Sequence, residues 1–250
     1  MKSAYNIRQI NNKYKKSIKN NLITNNFCPF RYEKQMDYLL PLIIKVIKKY
    51  PKKYRPKILE AGCGYGRLIY FINKLNLPCE IWGIDYMKEL IDRAKENFKS
   101  DNIRLKQGNI YDLSKKYKKF FDIVISYKTL SWLPDYKDAV KEMMTVAKNK
   151  VYITSLFYDG DISFETRVRQ LDKRIFTYLN TYSLNEFKKF CIKNGAKKVV
   201  DYKMNVDFDI PKPENVNDLK TFTIKTTNTK RLEVTGTIIL NWRLIEINLK

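Results

Sequence analysis

At 250 residues, the chain can bury one α/β domain with a full core and a modest extra lobe, and it is cramped for two independent domains. It has no histidine, which removes the commonest general base and the commonest metal ligand while leaving oxygen-liganded cations open. The net charge of +23 attracts anions by long-range steering, giving weight to phosphorylated, nucleotide-linked or nucleic-acid acceptors. In chain order, Ile7, Ile10, Tyr14, Ile18 and Leu22 recur at helical spacing, and Met36, Leu39, Leu40, Ile43 and Ile47 make a second apolar stripe. Residues 1–50 therefore read as an N-terminal helical lid and outer helix, interrupted by an aromatic break that carries Arg31 and Tyr32.

From Lys57 strands alternate with helices through residues 51–250. Strands are predicted from Lys57, over Glu80–Asp85, Phe121–Ser126 and Lys150–Phe157, with helical stripes at Met87, Leu90, Ile91, Ala94 and Phe98 and at Val140, Met143, Met144 and Ala147. Residues 158–182 have no clear period. As an insertion at the carboxyl end of a strand they face the ligand crevice, and are assigned to acceptor recognition. Ser183-Leu184-Asn185-Glu186 reads as a capping box, and Gly195 as the stop of the helix it opens. Residues 198–202 and 244–249 are predicted as the last two sheet strands. Between them, residues 221–225 and 231–235 alternate as an added hairpin within 209–240.

The chemistry concentrates after the strand at Lys57. It ends in Glu60 and runs into Gly62-Cys63-Gly64-Tyr65-Gly66, a loop in which glycine brings bare backbone N–H groups close to a ligand. Asp85 closes the next strand where a ribose diol is gripped in doubly wound sheets. A dinucleotide fingerprint needs its third glycine at position 67, which is Arg67, so NAD and FAD are disfavoured.

Glu60-x-Gly62-x-Gly64-x-Gly66, Asp85, Gly108-Asn109 and the segment Tyr127–Pro134 resemble the ordered motifs of class I S-adenosylmethionine-dependent methyltransferases over about residues 55 to 157. The resemblance implies a Rossmann-like, seven-stranded, doubly wound α/β sheet whose last strand is antiparallel. It also implies S-adenosylmethionine as cofactor and S-adenosylhomocysteine as product. The loop would hold the amino-acid end and Asp85 the ribose. Asn109 stands where the family usually has Asp and would accept the adenine amino group through its carbonyl oxygen. Tyr86, Ile110 and Ser126 are expected in the same site, Arg31 on the cofactor carboxylate, and Tyr32 by the sulfonium or acceptor.

Methyl transfer is an in-line displacement in which proximity dominates. Tyr127 is expected to position the acceptor and Asp159 to act as base, unless the acceptor is already an anion. The segment after the fourth strand lacks the double proline of exocyclic-amine enzymes, and Pro78-Cys79 lies far from the chemistry, so base-directed nucleic-acid methylation is disfavoured. The expected function is O-methylation of a small polar, anionic metabolite or saccharide precursor, as in bacterial surface-polysaccharide biosynthesis. The rivals are an RNA ribose or cap methyltransferase and a non-catalytic cofactor-binding regulator. The dispersed lysine pairs, such as Lys52-Lys53 and Lys197-Lys198, read as solvated faces, and AT-rich coding accounts for much of the charge. Cys28, Cys63, Cys79 and Cys191 have no paired spacing for zinc or disulfides. No apolar run reaches the roughly 20 residues of a membrane span. A reduced, cytoplasmic protein with no metal site, and with a homodimer left open, is expected.

Overall fold

The computed structural model describes residues 33–98, 100–171, 175–215, 220–227 and 230–250. The expected helix over residues 7–22, and Arg31 and Tyr32, lie outside the described residues. Chain order begins with α1 (Met36–Ile47), β1 (Lys57–Ala61), α2 (Arg67–Lys74), β2 (Glu80–Asp85), α3 (Lys88–Asn97) and β3 (Ile103–Gln107). It continues with α4 (Ser114–Tyr117), β4 (Phe121–Tyr127), α5 (Lys137–Val146), β5 (Ala147–Tyr158), β6 (Arg167–Gln170), β7 (Ile175–Tyr178) and β8 (Tyr182–Ser183). The last elements are α6 (Leu184–Lys193), β9 (Lys198–Lys203), β10 (Thr221–Lys225), β11 (Arg231–Thr235), β12 (Ile238–Ile239) and β13 (Trp242–Asn248).

The main sheet runs β3-β2-β1-β4-β5-β13-β9. β3, β2, β1, β4 and β5 pair in parallel, whereas β13 is antiparallel to both β5 and β9. Strand alternation sends neighbouring residues to opposite faces, and both faces are covered by helices. Leu59, Val124, Val151, Ile153 and Ile245 meet α5 and α6 on one side. Ile58, Ile81, Ile123, Ile125 and Leu244 meet α1, α2 and α3 on the other. The five residues of the α1 stripe are all buried there. Among the described residues no helix is long and apolar enough to cross a membrane.

Two readings of the sequence change. The insertion after β5 is not aperiodic: β6 and β7 pair antiparallel, and a Phe164–Thr181 bridge closes the base of this arm. The capping box is half formed. Ser183 Oγ accepts the Glu186 N–H at 3.1 Å, but the Ser183 N–H goes to Ser163 Oγ at 2.8 Å and Glu186 pairs with Lys137. Gly195, at φ 99°, does end α6: the Gly195 and Ala196 N–H groups bond to Ile192 and Cys191 carbonyls, the Schellman pattern. The paired β10 and β11 are joined by β12 into a three-stranded sheet. It touches the start of α1 through the Gln35 amide, which donates to Glu233 at 3.2 Å.

Candidate active site

The carboxyl ends of β1, β2, β3 and β4 open onto one cavity of about 520 Å³, within the range typical of small-molecule sites. Its lining includes Glu60, Gly62, Gly64, Asp85, Tyr86, Asn109, Ile110 and Tyr127. Seven positions expected from the sequence to serve the cofactor, and Tyr127 expected to position the acceptor, thus converge from four strand ends, where open α/β sheets bind ligands.

The glycine loop is held differently from the expectation. The Gly62 and Cys63 N–H groups both donate to the Ile84 carbonyl, at 2.8 and 3.1 Å, and the Gly64 N–H donates to Asp85 Oδ2 at 2.8 Å. These amides are not bare; they fasten the loop to β2. Gly62 has φ 80° and its missing Cβ would fall 2.5 Å from Thr129 Cγ2, while Thr129 Oγ1 donates to the Gly62 carbonyl at 3.1 Å. Gly64 borders open space, so its contribution is room above the loop. Gly66 is not on the cavity wall; a Cβ there would meet the Phe98 ring at 2.5 Å, so its part is to let α2 start against that ring.

Asp85 accepts the Gly64 N–H on one oxygen and the Met87 N–H, at 2.9 Å, on the other. The carboxylate retains acceptor capacity for a ligand hydroxyl. Burial raises its pKa, and the N–H groups of Met87, Gly64 and Tyr86 oppose the rise. Glu60 is 3 % exposed and its Oε2 has no hydrogen-bond partner. Burial first, then the charge of Asp85, push its carboxyl well above the ordinary range. A buried carboxyl in that state is relieved by a ligand that brings a positive charge and N–H donors. Asn109 Oδ1 already accepts the Tyr111 N–H at 3.0 Å, an Asx turn that leaves one lone pair for a ligand amine.

At the end of β4 the cavity is lined by Tyr127, Lys128, Thr129, Trp132, Leu133 and Pro134. Tyr127 donates its hydroxyl to Glu33 Oε2 at 2.8 Å. Burial, then the charge and hydrogen bond of Glu33, hold this phenol well above its ordinary pKa, so it acts as a donor. Burial also pushes Glu33 up, but Lys128 and Arg67 beside it, with the Tyr127 bond, outweigh burial and leave its pKa lowered. Ser126 faces away from Tyr127 by strand alternation and is not on the cavity wall. Asp159 is not brought to the cavity either. Its side chain is 62 % exposed and ion-paired to Arg243, which also holds Asp201 at 2.7 Å. Among the described residues no His, Cys, Asp and Glu cluster could hold a metal ion.

Glu33 and Lys128 escape the sequence reading. A single glutamate ahead of a helix has no periodic signature, and only its placement beside Tyr127 reveals it. Lys128 was legible as part of the segment after β4, but not its left-handed backbone, φ 58°, which is unusual for lysine and recurs at functional sites.

A methyltransferase-domain family model matches residues 52–204. A malonyl-[acyl-carrier protein] O-methyltransferase of Bacillus cytotoxicus is 28% identical over 53% of this chain. That match spans 45% of the relative, so the chain aligns with less than half of its length. An uncharacterized methyltransferase of Schizosaccharomyces pombe is 31% identical over 42% of the chain and 40% of its own. Among solved structures, the YcgJ protein of Bacillus subtilis superposes with a TM-score of 0.54 at 14% identity, covering 82% of this chain and 97% of its own. Magnesium protoporphyrin IX methyltransferase of Synechocystis, solved with bound SAH, gives 0.54 at 12% identity over 87% of this chain and 83% of its own. At such identities these structures speak for the fold alone. With the strand order, the glycine loop and the family model in agreement, the chain belongs to the methyltransferase-domain family, in the class I, S-adenosylmethionine-dependent fold.

Proposed function

We propose that the protein is an S-adenosylmethionine-dependent O-methyltransferase whose acceptor is a small, polar, anionic metabolite. The observation that carries the cofactor reading is Glu60: a cavity-lining residue whose carboxyl is buried with one oxygen unpartnered, a group that the ammonium of an amino-acid ligand would satisfy. Around it, Asp85 would take the ribose hydroxyls, Asn109 and Ile110 the adenine, and the open space at Gly64 the chain between them. When bound, the cofactor supplies an electrophilic methyl group on a sulfonium.

The anionic acceptor is supported by the character of the transfer end. Tyr127 is kept as a phenol, Glu33 is a carboxylate stabilised by two cations, and Asp159 is tied to Arg243 away from the cavity. None of these is poised to take a proton from an alcohol. An oxygen that is already deprotonated needs no base, and the protein then acts by orienting it and excluding water. We assign the arm from 158 to 182 to acceptor recognition. Its last residues are stitched to the cavity wall: the Asn180 side chain donates to the carbonyl of cavity-lining Leu133 at 2.9 Å and the Tyr182 hydroxyl to the same carbonyl at 3.3 Å.

Transfer of labelled methyl from S-adenosylmethionine into pools of carboxylated and phosphorylated metabolites, and into total RNA, tests this reading. Label in the small-molecule pools supports it. Label confined to RNA overturns the acceptor assignment.

A further inference from the structure

In the cavity one carboxylate is caught by donors from two elements. Glu33 Oε1 pairs with the Arg67 guanidinium at the start of α2. Glu33 Oε2 accepts the Tyr127 hydroxyl at 2.8 Å and lies 3.0 Å from Lys128 Nζ, at the end of β4. All four residues line the cavity.

The donors are positioned without help from Glu33. Arg67 also donates to the Tyr65 hydroxyl at 2.6 Å, and Tyr127 is a buried residue of β4. The Lys128 N–H bonds to the Thr154 carbonyl at 2.9 Å and its ammonium sits 4.8 Å from the Trp242 ring centre. Glu33 instead belongs to the segment ahead of α1, whose neighbours Lys34 and Gln35 are held by Asp37, Asp207 and Glu233. The pocket is thus part of the sheet and its loops, and the carboxylate in it arrives from a separate segment.

We propose that Arg67, Tyr127 and Lys128 form a subsite for a carboxylate of the acceptor, and that Glu33 fills it in the free chain as a stand-in. This rests on the cofactor reading of the neighbouring strand ends. Asn109 follows β3, Asp85 ends β2, Glu60 lies in β1 and Tyr127 ends β4, and the sheet order β3-β2-β1-β4 sets them out from the adenine end to the acceptor end. The subsite fits a planar two-oxygen anion, because one oxygen meets Arg67 and the other meets Tyr127 and Lys128. An incoming carboxylate replaces every bond that Glu33 gives up. A neutral ligand cannot, so Glu33 stays in place against it and the subsite selects by charge.

Calorimetric titration of malonate into protein saturated with S-adenosylhomocysteine, for the wild type, Glu33→Gln and Lys128→Gln, tests the proposal. Removing the self-occupied fraction should tighten malonate about tenfold in Glu33→Gln, while Lys128→Gln weakens it about tenfold and S-adenosylhomocysteine affinity changes less than about twofold. Malonate binding that is absent, or that ignores Glu33→Gln, overturns the subsite. So does a Glu33→Gln variant that tightens S-adenosylhomocysteine and not malonate, which would give the pocket to the cofactor's own carboxylate. A wild type that fails to bind S-adenosylhomocysteine sinks the cofactor reading instead; the malonate response to Glu33→Gln, repeated without cofactor, still reads the subsite.

Discussion

The backbone N–H of Gly64 donates to Asp85 Oδ2 at 2.8 Å, so the glycine loop after β1 and the acidic end of β2 are one hydrogen-bonded unit. A change in either half is felt by the other. Asp85→Asn preserves the shape but replaces one acceptor by a donor that faces the Gly64 or Met87 N–H. Loss of a charged hydrogen bond, at about 1.5–3 kcal/mol, should weaken S-adenosylhomocysteine at least about tenfold. The same change should lower Tm by about 2–4 °C per kcal/mol. Calorimetry and a thermal melt on the same sample check both.

The glycines of the loop should separate into packing and ligand roles. Gly62→Ala drives a Cβ to 2.5 Å from Thr129, whose hydroxyl is already bonded to the Gly62 carbonyl and resists moving; a loss of about 2 kcal/mol or more is expected. Gly66→Ala meets a Phe98 ring edge at 2.5 Å that can swing aside, so its loss is smaller. Gly64→Ala meets nothing within 4 Å and carries only the left-handed strain of about 1–2 kcal/mol. It should nevertheless have the largest effect on cofactor affinity relative to its Tm change, because its methyl enters the cavity. A Tm order other than Gly62→Ala lowest contradicts this division.

Glu60 gives a pH signature. Its folded pKa is raised by burial and then by Asp85, so the folded state holds its proton more tightly than the unfolded chain. That contribution is fully favourable below the ordinary carboxylate range and is lost as pH rises through the raised folded value. Glu60→Gln removes the penalty. Its Tm should exceed that of the wild type above the raised pKa and converge with it in acid, while S-adenosylhomocysteine binds about tenfold more weakly. A Tm difference that does not change with pH contradicts the assignment.

Asp159 and Arg243 should behave unequally although they are partners. Asp159 is mostly exposed, and an exposed pair is worth about 1 kcal/mol or less, so Asp159→Asn should be nearly silent in stability. Its kcat should stay within about twofold of the wild type if no proton passes through it. Arg243 is 5 % exposed and also binds Asp201, which keeps Lys188 as a second partner, so Arg243→Ala removes a charged hydrogen bond from Asp201 and should cost about 1.5–3 kcal/mol. Urea melts and initial rates measure the contrast.

Local patterns made most of the fold legible. The α1 stripe, β2, β10 and β11 follow from apolar periodicity that tertiary packing did not override. The Asx turn at Asn109 could also have been read, since it needs only residues two apart. The arm after β5 was missed because a four-residue hairpin strand is too short to display a period. The loop's N–H groups were misread because whether an amide faces a ligand or the Ile84 carbonyl depends on the neighbouring strand. Glu33 was invisible for the strongest reason. It lies 34 residues from Arg67 and 94 from Tyr127, and only the assembled sheet brings them together. Asp159 looked catalytic from its place at a strand end, while its partner Arg243 stands 84 residues away on β13.

Calorimetric titration of S-adenosylhomocysteine into the wild-type chain and into Asp85→Asn tests the central claim most directly. Saturable one-to-one binding by the wild type, weakened at least about tenfold in Asp85→Asn, is expected if the cavity at the ends of β1 to β4 is the cofactor site. Absence of binding to the wild type, or binding that Asp85→Asn leaves intact, contradicts it.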